Sequence, residues 1–164
     1  MALRMDQRLS APQRVQAALS AAGIAGRIEE FPSSTRTAQE AADAVGTSVG
    51  QIVKSLIFLA GDSPVLALVS GANRLDPDRL AALTGLPIGK ADADAVRQAT
   101  GYSIGGVPPI GFPAPIPTFI DRDLLQYAVV WAAAGTPRHV FPIAPQDLVR
   151  VTDGRVAALA IDQG

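Results

Sequence analysis

Ile52-Val53-Lys54-Ser55-Leu56-Ile57-Phe58-Leu59-Ala60, then Gly61-Asp62-Ser63-Pro64, then Val65-Leu66-Ala67-Leu68-Val69-Ser70, is the stretch that organises the chain. Ser55–Leu59 and Val65–Ser70 are apolar runs containing β-branched residues, and the four residues between them are turn formers, so the pair reads as a hairpin. Upstream, Ser48 with Gln51 is the pattern of a capped helical turn, which places Lys54 where such a turn gives way to a strand.

Further toward the N-terminus, Ser10 precedes a helix over Ala11–Ala22, stopped by Gly23. Ile24–Phe31 reads as a short strand and Pro32–Arg36 as a loop, and Thr37 with Glu40 opens a second helix ending near Gly46. On the C-terminal side, Asp76-Pro77-Asp78 starts a helix that Gly85 ends, and Asp92–Ala99 is another, closed by Gly101. Tyr102–Pro117 differs in kind. Gly105, Gly106 and Gly111 and prolines 108, 109, 113, 115 and 117 forbid a regular element, yet Ile104, Val107, Ile110 and Phe112 make the run apolar. It reads as a structured loop lining a cavity. Strands follow at Thr118–Asp121, Ala128–Ala133 and His139–Ile143, then a short helix over Pro145–Val149 and a strand over Arg155–Ile161. This order lacks the regular β-α alternation of a doubly wound nucleotide fold. It predicts an α/β fold of the α+β type, with a mixed, mostly antiparallel sheet and short flanking helices, as one domain spanning residues 1–164.

Composition narrows the chemistry. Cysteine is absent, so disulfides, thiolate nucleophiles and cysteine metal sites are excluded, and His139 is the single histidine, so no all-histidine zinc site can form. Neither a metal nor a cofactor is expected. Formal charge is -1, which leaves no bulk positive charge with which to coat nucleic acid; a tRNA contact would use a local patch, and no DNA partner is expected. Met1–Gln16 reads as no signal peptide, and Ala128–Gly135 is too short an apolar run to span a membrane. The chain reads as a cytoplasmic protein. Its 14 basic residues include only two lysines, Lys54 and Lys90, so a lysine kept in an apolar stretch suggests a use for a compact, mobile ammonium.

At the strand start, Lys54 either faces solvent or lays its stem on the core and holds its ammonium in a pocket, against a phosphate, a carboxylate or a polarised carbonyl. Gly105-Gly106-Val107-Pro108-Pro109 is either a tight structural turn or a loop that aims backbone N–H groups at an oxyanion or a ribose. No Walker loop or dinucleotide fingerprint is present, and His139 lacks serine and aspartate partners at triad spacing. Asn73 and Arg74 either line the same face or cap the loop before Asp76. Asp121 and Asp123 read better as turn and helix-start caps than as a catalytic pair.

Taken in order, Thr37-Ala38-Gln39-Glu40-Ala41-Ala42, Ile52–Leu56, Gly71-Ala72-Asn73-Arg74-Leu75, Tyr102–Gly111 and Ala133 with Gly135-Thr136 resemble the YbaK/EbsC family, which is similar to the editing domain inserted in bacterial prolyl-tRNA synthetases. The likeness runs from Pro12 to Ile161. It implies hydrolysis of amino acids wrongly esterified to tRNA, of the proline-accepting type, with the aminoacyl-tRNA acceptor end and a synthetase as partners. Lys54 matches the family's characteristic lysine, implied to position the aminoacyl end. Gly105 through Pro109 matches its glycine-x-x-x-proline loop, so Gly105 and Gly106 are implied to act at the ester through their backbone. Asn73, Ser103, Pro109, Thr136 and His139 are the implied substrate contacts. The alternative is a nucleotide or tRNA-end binding module without turnover. Neither reading selects the amino acid removed.

Overall fold

The computed structural model describes residues 9–162; the first eight residues of the segment read as no signal peptide lie outside the described residues. Helix α1 (Ala11–Ala21) begins at Ser10, where the Ser10 and Gln13 side chains each accept from the other's amide, a complete capping box. There follow β1 (Glu29–Glu30), α2 (Ala38–Val45), a 3-10 turn over Val49–Gln51, β2 (Ile52–Ala60), β3 (Ser63–Ser70), α3 (Pro77–Thr84), β4 (Ile88–Lys90) and α4 (Ala93–Thr100). After the long loop come β5 (Thr118–Asp121), a 3-10 turn over Arg122–Gln126, β6 (Val130–Ala133), β7 (His139–Ile143), α5 (Pro145–Thr152) and β8 (Arg155–Ala157). Thr37, Asp76 and Asp92 cap α2, α3 and α4 through their side chains, and Gly46, Gly85 and Gly101 end them in the left-handed conformation. Only half of the expected box forms at α2: Thr37 Oγ1 accepts from Glu40, but the Glu40 carboxylate accepts from the Arg36 amide.

One sheet runs β1-β7-β6-β2-β3-β5-β8, with β4 also alongside β2. The β1–β7, β7–β6, β2–β3 and β2–β4 pairs are antiparallel; β2–β6, β3–β5 and β5–β8 are parallel. This is the mixed, mostly antiparallel sheet with flanking helices that the sequence predicts. The hairpin is longer than its apolar runs: pairing extends from Val53 opposite Ser70 to Ala60 opposite Ser63, so the turn shrinks to Gly61-Asp62.

Side-chain alternation along β2 and β3 divides the helices between the two faces. Val53, Ile57, Leu66 and Leu68 point into the largest core, with Val15 and Leu19 of α1, Val96 of α4, Leu148 of α5 and Val107 and Ile110 of the loop. The other face carries two separate clusters. Ile52 and Val140 pack under Ala41 and Ala42 of α2; Val65, Ala67 and Val69 pack under Leu80 of α3. Fully buried leucines such as Leu66, Leu68 and Leu80 each stabilise the fold by about 2 kcal/mol. Lys54 lies on β2 between Ile52 of one cluster and Leu56, which packs against the other.

Two strand expectations shorten, and one strand appears where none was expected. Ile24–Phe31 contributes only Glu29–Glu30, paired with Val140 and His139. The next β7 residue facing that edge is Pro142, which has no N–H to donate. Strand β4, short and interrupted by Gly89, was not legible. Arg155–Ile161 is a strand only to Ala157, with one isolated bridge from Ala160 to Leu75.

Candidate active site

Strands β2 and β6 run side by side for only two pairs, Ile52–Trp131 and Val53–Ala132, and then part. Strand β4 takes up the same edge of β2 from Phe58 to Ala60. Between them the edge at residues 54–57 is open, and a cavity of about 290 Å3 occupies the gap. Lys54 and Ser55 form its β2 wall, Trp131 and His139 come from β6 and β7, and Gly105 and Thr136 face them. Parallel strands that diverge leave such a crevice because no backbone partner fills it.

Lys54 is half-buried, and its Nζ donates to the backbone carbonyl of Asn73. An ammonium has three donors, so two remain for a ligand. The Asn73 loop is itself held: Asn73 Nδ2 donates to Asp121 Oδ2 at 2.9 Å and to Asp123 Oδ2 at 2.7 Å. Asp121 is buried and fully engaged, accepting also from the Ser70 and Asp123 amides. Burial pushes the Lys54 pKa below the ordinary lysine value, and the Asp121 carboxylate acts in the opposite direction. Asp121 therefore does cap the turn over Arg122–Gln126, whereas the Asp123 carboxylate caps nothing; together the two brace the residue that fixes the lysine.

Across the crevice, Ser103 to Gly106 is a four-residue turn closed by the Gly106 amide donating to Ser103 O at 3.1 Å. Gly105 stands at its third position with φ 92°, where glycine is favoured. Its amide has no acceptor among the described residues, and only Pro137 Cγ, 3.7 Å away, lies near where a Cβ would sit. Gly106 is the reverse case: a Cβ there would lie 2.6 Å from Thr136 Cα and 2.8 Å from Gly135 O. Gly105 stands at the cavity wall with its amide unpaired among the described residues, while Gly106 lets the loop dock on the β6–β7 turn. Tyr102 anchors the loop's start, its hydroxyl donating to Gly111 O at 3.1 Å.

Residues 32–151 match the family described as the aminoacyl-tRNA editing domain. The chain belongs to that family. A crystal structure described as that of a proposed trans-editing enzyme for prolyl tRNA synthetase superposes on this chain with a TM-score of 0.90 at 49% identity, covering 94% of this chain and 99% of the other. EbsC of Enterococcus faecalis, named as a proposed Cys-tRNA(Pro)/Cys-tRNA(Cys) deacylase, is 28% identical over 75% of this chain and 76% of its own length. The proline–tRNA ligase of a Thermoanaerobacter species is 31% identical over 60% of this chain, which corresponds to 18% of the ligase. The YbaK/EbsC resemblance and its kinship with the prolyl-tRNA synthetase editing domain therefore hold.

Within this editing domain Lys54, Gly105, Thr136 and His139 line one cavity. Thr136 Oγ1 and His139 Nδ1 lie 2.6 Å apart, and His139 Nε2 faces Glu30 Oε2 at 3.8 Å. The other implied contacts stand elsewhere. Asn73 touches Lys54 by its carbonyl while its side chain turns toward the two aspartates. Ser103 is exposed and accepts from Arg97 Nη2 at 2.8 Å. Pro109 is buried behind the loop and lines none of the cavity. Gly106 spends its amide inside the turn, so of the two glycines only Gly105 can offer one. The sequence reading missed Ser55, Arg36 and Trp131, all on the cavity wall. Trp131 is the one tryptophan in the chain, but nothing local says that its strand ends beside a gap. Among the described residues no helix is long and apolar enough to cross a membrane.

Proposed function

We propose that this protein is a cytoplasmic, trans-acting deacylase, one editing domain that hydrolyses the ester of mischarged tRNA of the proline-accepting type. The observation that carries the reading is Lys54 Nζ, half-buried, held by the Asn73 carbonyl and set on the same cavity as the free Gly105 amide. An aminoacyl ester needs an attacking water, a donor for the oxygen that gains negative charge and a cation near the ribose-phosphate end. Water's oxygen bonds to the carbonyl carbon, the bond to the ribose oxygen breaks, and a proton passes from water to that oxygen. Free amino acid and uncharged tRNA result. The Gly105 amide serves the developing oxyanion, while Lys54 orients the acceptor end with its two remaining protons. Relatives named for cysteinyl-tRNA deacylation and for trans-editing support the same substrate class.

A panel of tRNAs, each misacylated with one amino acid and offered to the purified protein, tests this directly. Multiple turnovers on at least one mischarged tRNA(Pro), with correctly charged prolyl-tRNA spared, is the expected result. Stoichiometric binding without release of amino acid from any tRNA would overturn it in favour of a binding module.

A further inference from the structure

The open edge of β2 carries chemistry that the lysine and the glycine loop do not exhaust. Ile52 O accepts from the Gly71 amide, on the β3 side. Residues alternate along a strand, so Lys54 and Leu56 also turn toward β3, and Ser55 and Ile57 turn away. The opposing strand agrees: Leu66, opposite Ile57, donates its amide to Pro117 O, away from β2. The N–H and C=O of Ser55 therefore point into the gap between β6 and β4. Ser55 Oγ is buried and has no partner among the described residues. Buried hydroxyls are rarely left so, since each costs the fold unless something completes it. Ser55 also lies where two cavities meet. The second, about 260 Å3, is walled by Ile57, Phe58 and Val96, and shares Ser55, Leu56, Ile104, Gly105 and Val107 with the first.

An unpaired residue on a strand edge presents one donor and one acceptor on the same side. Its natural complement is another α-amino acid unit, which exchanges both hydrogen bonds in an antiparallel pair. An aminoacyl ester is such a unit, with its α-ammonium as donor and its ester carbonyl as acceptor, separated by one carbon. We infer that the free edge of Ser55 receives the aminoacyl group as a missing strand would: Ser55 C=O and Oγ accept from the α-ammonium, and Ser55 N–H donates to the ester carbonyl. Ser55 is thereby a specificity residue that reads the free α-amine, independent of which side chain the amino acid bears. The inference rests on the deacylase reading and says which part of the substrate is recognised.

The test compares two esters of one tRNA, the aminoacyl form and the form whose α-amine has been converted to a hydroxyl. The wild-type protein should prefer the amine. Ser55→Ala keeps the backbone pair and loses only Oγ. It should lower kcat/KM on the aminoacyl ester about tenfold or more, the worth of one charge-assisted hydrogen bond, and leave the hydroxy ester within about twofold. Its Tm should hold or rise, because a buried hydroxyl without a partner has been removed. Ser55→Pro removes the edge-facing N–H at a position where a strand tolerates proline, and should slow both esters together. Circular dichroism and Tm keep a failure to fold distinct from this loss. If the wild type is active but Ser55→Ala lowers both esters equally, or neither, the inference falls alone. If the wild type hydrolyses no aminoacyl ester, the deacylase reading falls and takes this inference with it.

Discussion

Along β2 and β3 every residue from Val53 to Ala60 has a partner in one register, and the hairpin's side chains are buried in cores on both faces. Across the groove, Tyr102–Pro117 contains no helix or strand, yet Val107, Pro108, Pro109 and Ile110 are buried as deeply. The hairpin holds its shape by repetition. The loop holds its shape by a few particular devices: the Ser103–Gly106 turn, the Tyr102 hydroxyl on Gly111, and the Gly106 contact with Thr136. Repetition spreads the cost of a change over many neighbours, whereas a device fails as a unit. The hairpin should therefore be where substitutions cost stability, and the loop where they cost activity.

Lys54 is the exception within the hairpin and should give the largest effect. Lys54→Ala should leave circular dichroism unchanged and lower deacylation by about 100-fold or more, the scale of losing a preorganised electrostatic contact. Undiminished turnover would remove Lys54 from the site. Lys54→Arg should also impair turnover, because a planar fork does not reproduce a point charge.

Leu68→Ala probes the regular region. It empties a fully buried position and should cost about 2–5 kcal/mol in denaturant unfolding, with activity per folded molecule unchanged. Loss of specific activity there would break the contrast between hairpin and loop.

The two glycines sharpen it from the other side. In Gly106→Ala the new methyl meets Thr136 and Gly135 backbone, which cannot move aside, so the loop should lift from the β6–β7 turn. Turnover should fall about tenfold or more, with a measurable drop in Tm. Gly105→Ala meets no obstacle but keeps φ 92°, a strain of about 1–3 kcal/mol. Its loss should be smaller, and equal losses in the two variants would mean that strain rather than docking sets the loop's position.

The smallest effect concerns pH. Burial depresses the Lys54 pKa and Asp121 opposes it, so an activity that needs the ammonium should decline on an alkaline limb below the ordinary lysine value. Asp121→Asn removes the opposing charge and should move that limb to lower pH; a limb that stays put would detach Asp121 from Lys54. The stability sign follows from the same shift. The unfolded chain holds this proton to higher pH than the fold does, so stability should rise as pH climbs through the window up to the ordinary lysine value. Lys54→Ala should flatten that rise.

Much of this was legible in local chemistry. Caps at Thr37, Asp76 and Asp92 and stops at Gly46, Gly85 and Gly101 are written within single turns of chain, as is the refusal of Tyr102–Pro117 to form a regular element. So was the singularity of Lys54, because a lysine in an apolar run stands out without any knowledge of its neighbours. Tertiary structure alone decided which residues meet it. That β2 loses β6 after Val53 and gains β4 only at Phe58 depends on strands dozens of residues away, and the gap makes the site. Asn73 turned out to hold Lys54 by a carbonyl that every residue possesses, and Ser103 and Pro109 fell on the outer and inner sides of the loop. Gly105 and Gly106 read alike as letters; only the arrival of Thr136 separates them. Hydrogen bonding within a turn and side-chain periodicity are short-range and leave their mark on consecutive residues. The open edge of a sheet is defined by a strand that is not there, and no local pattern records it.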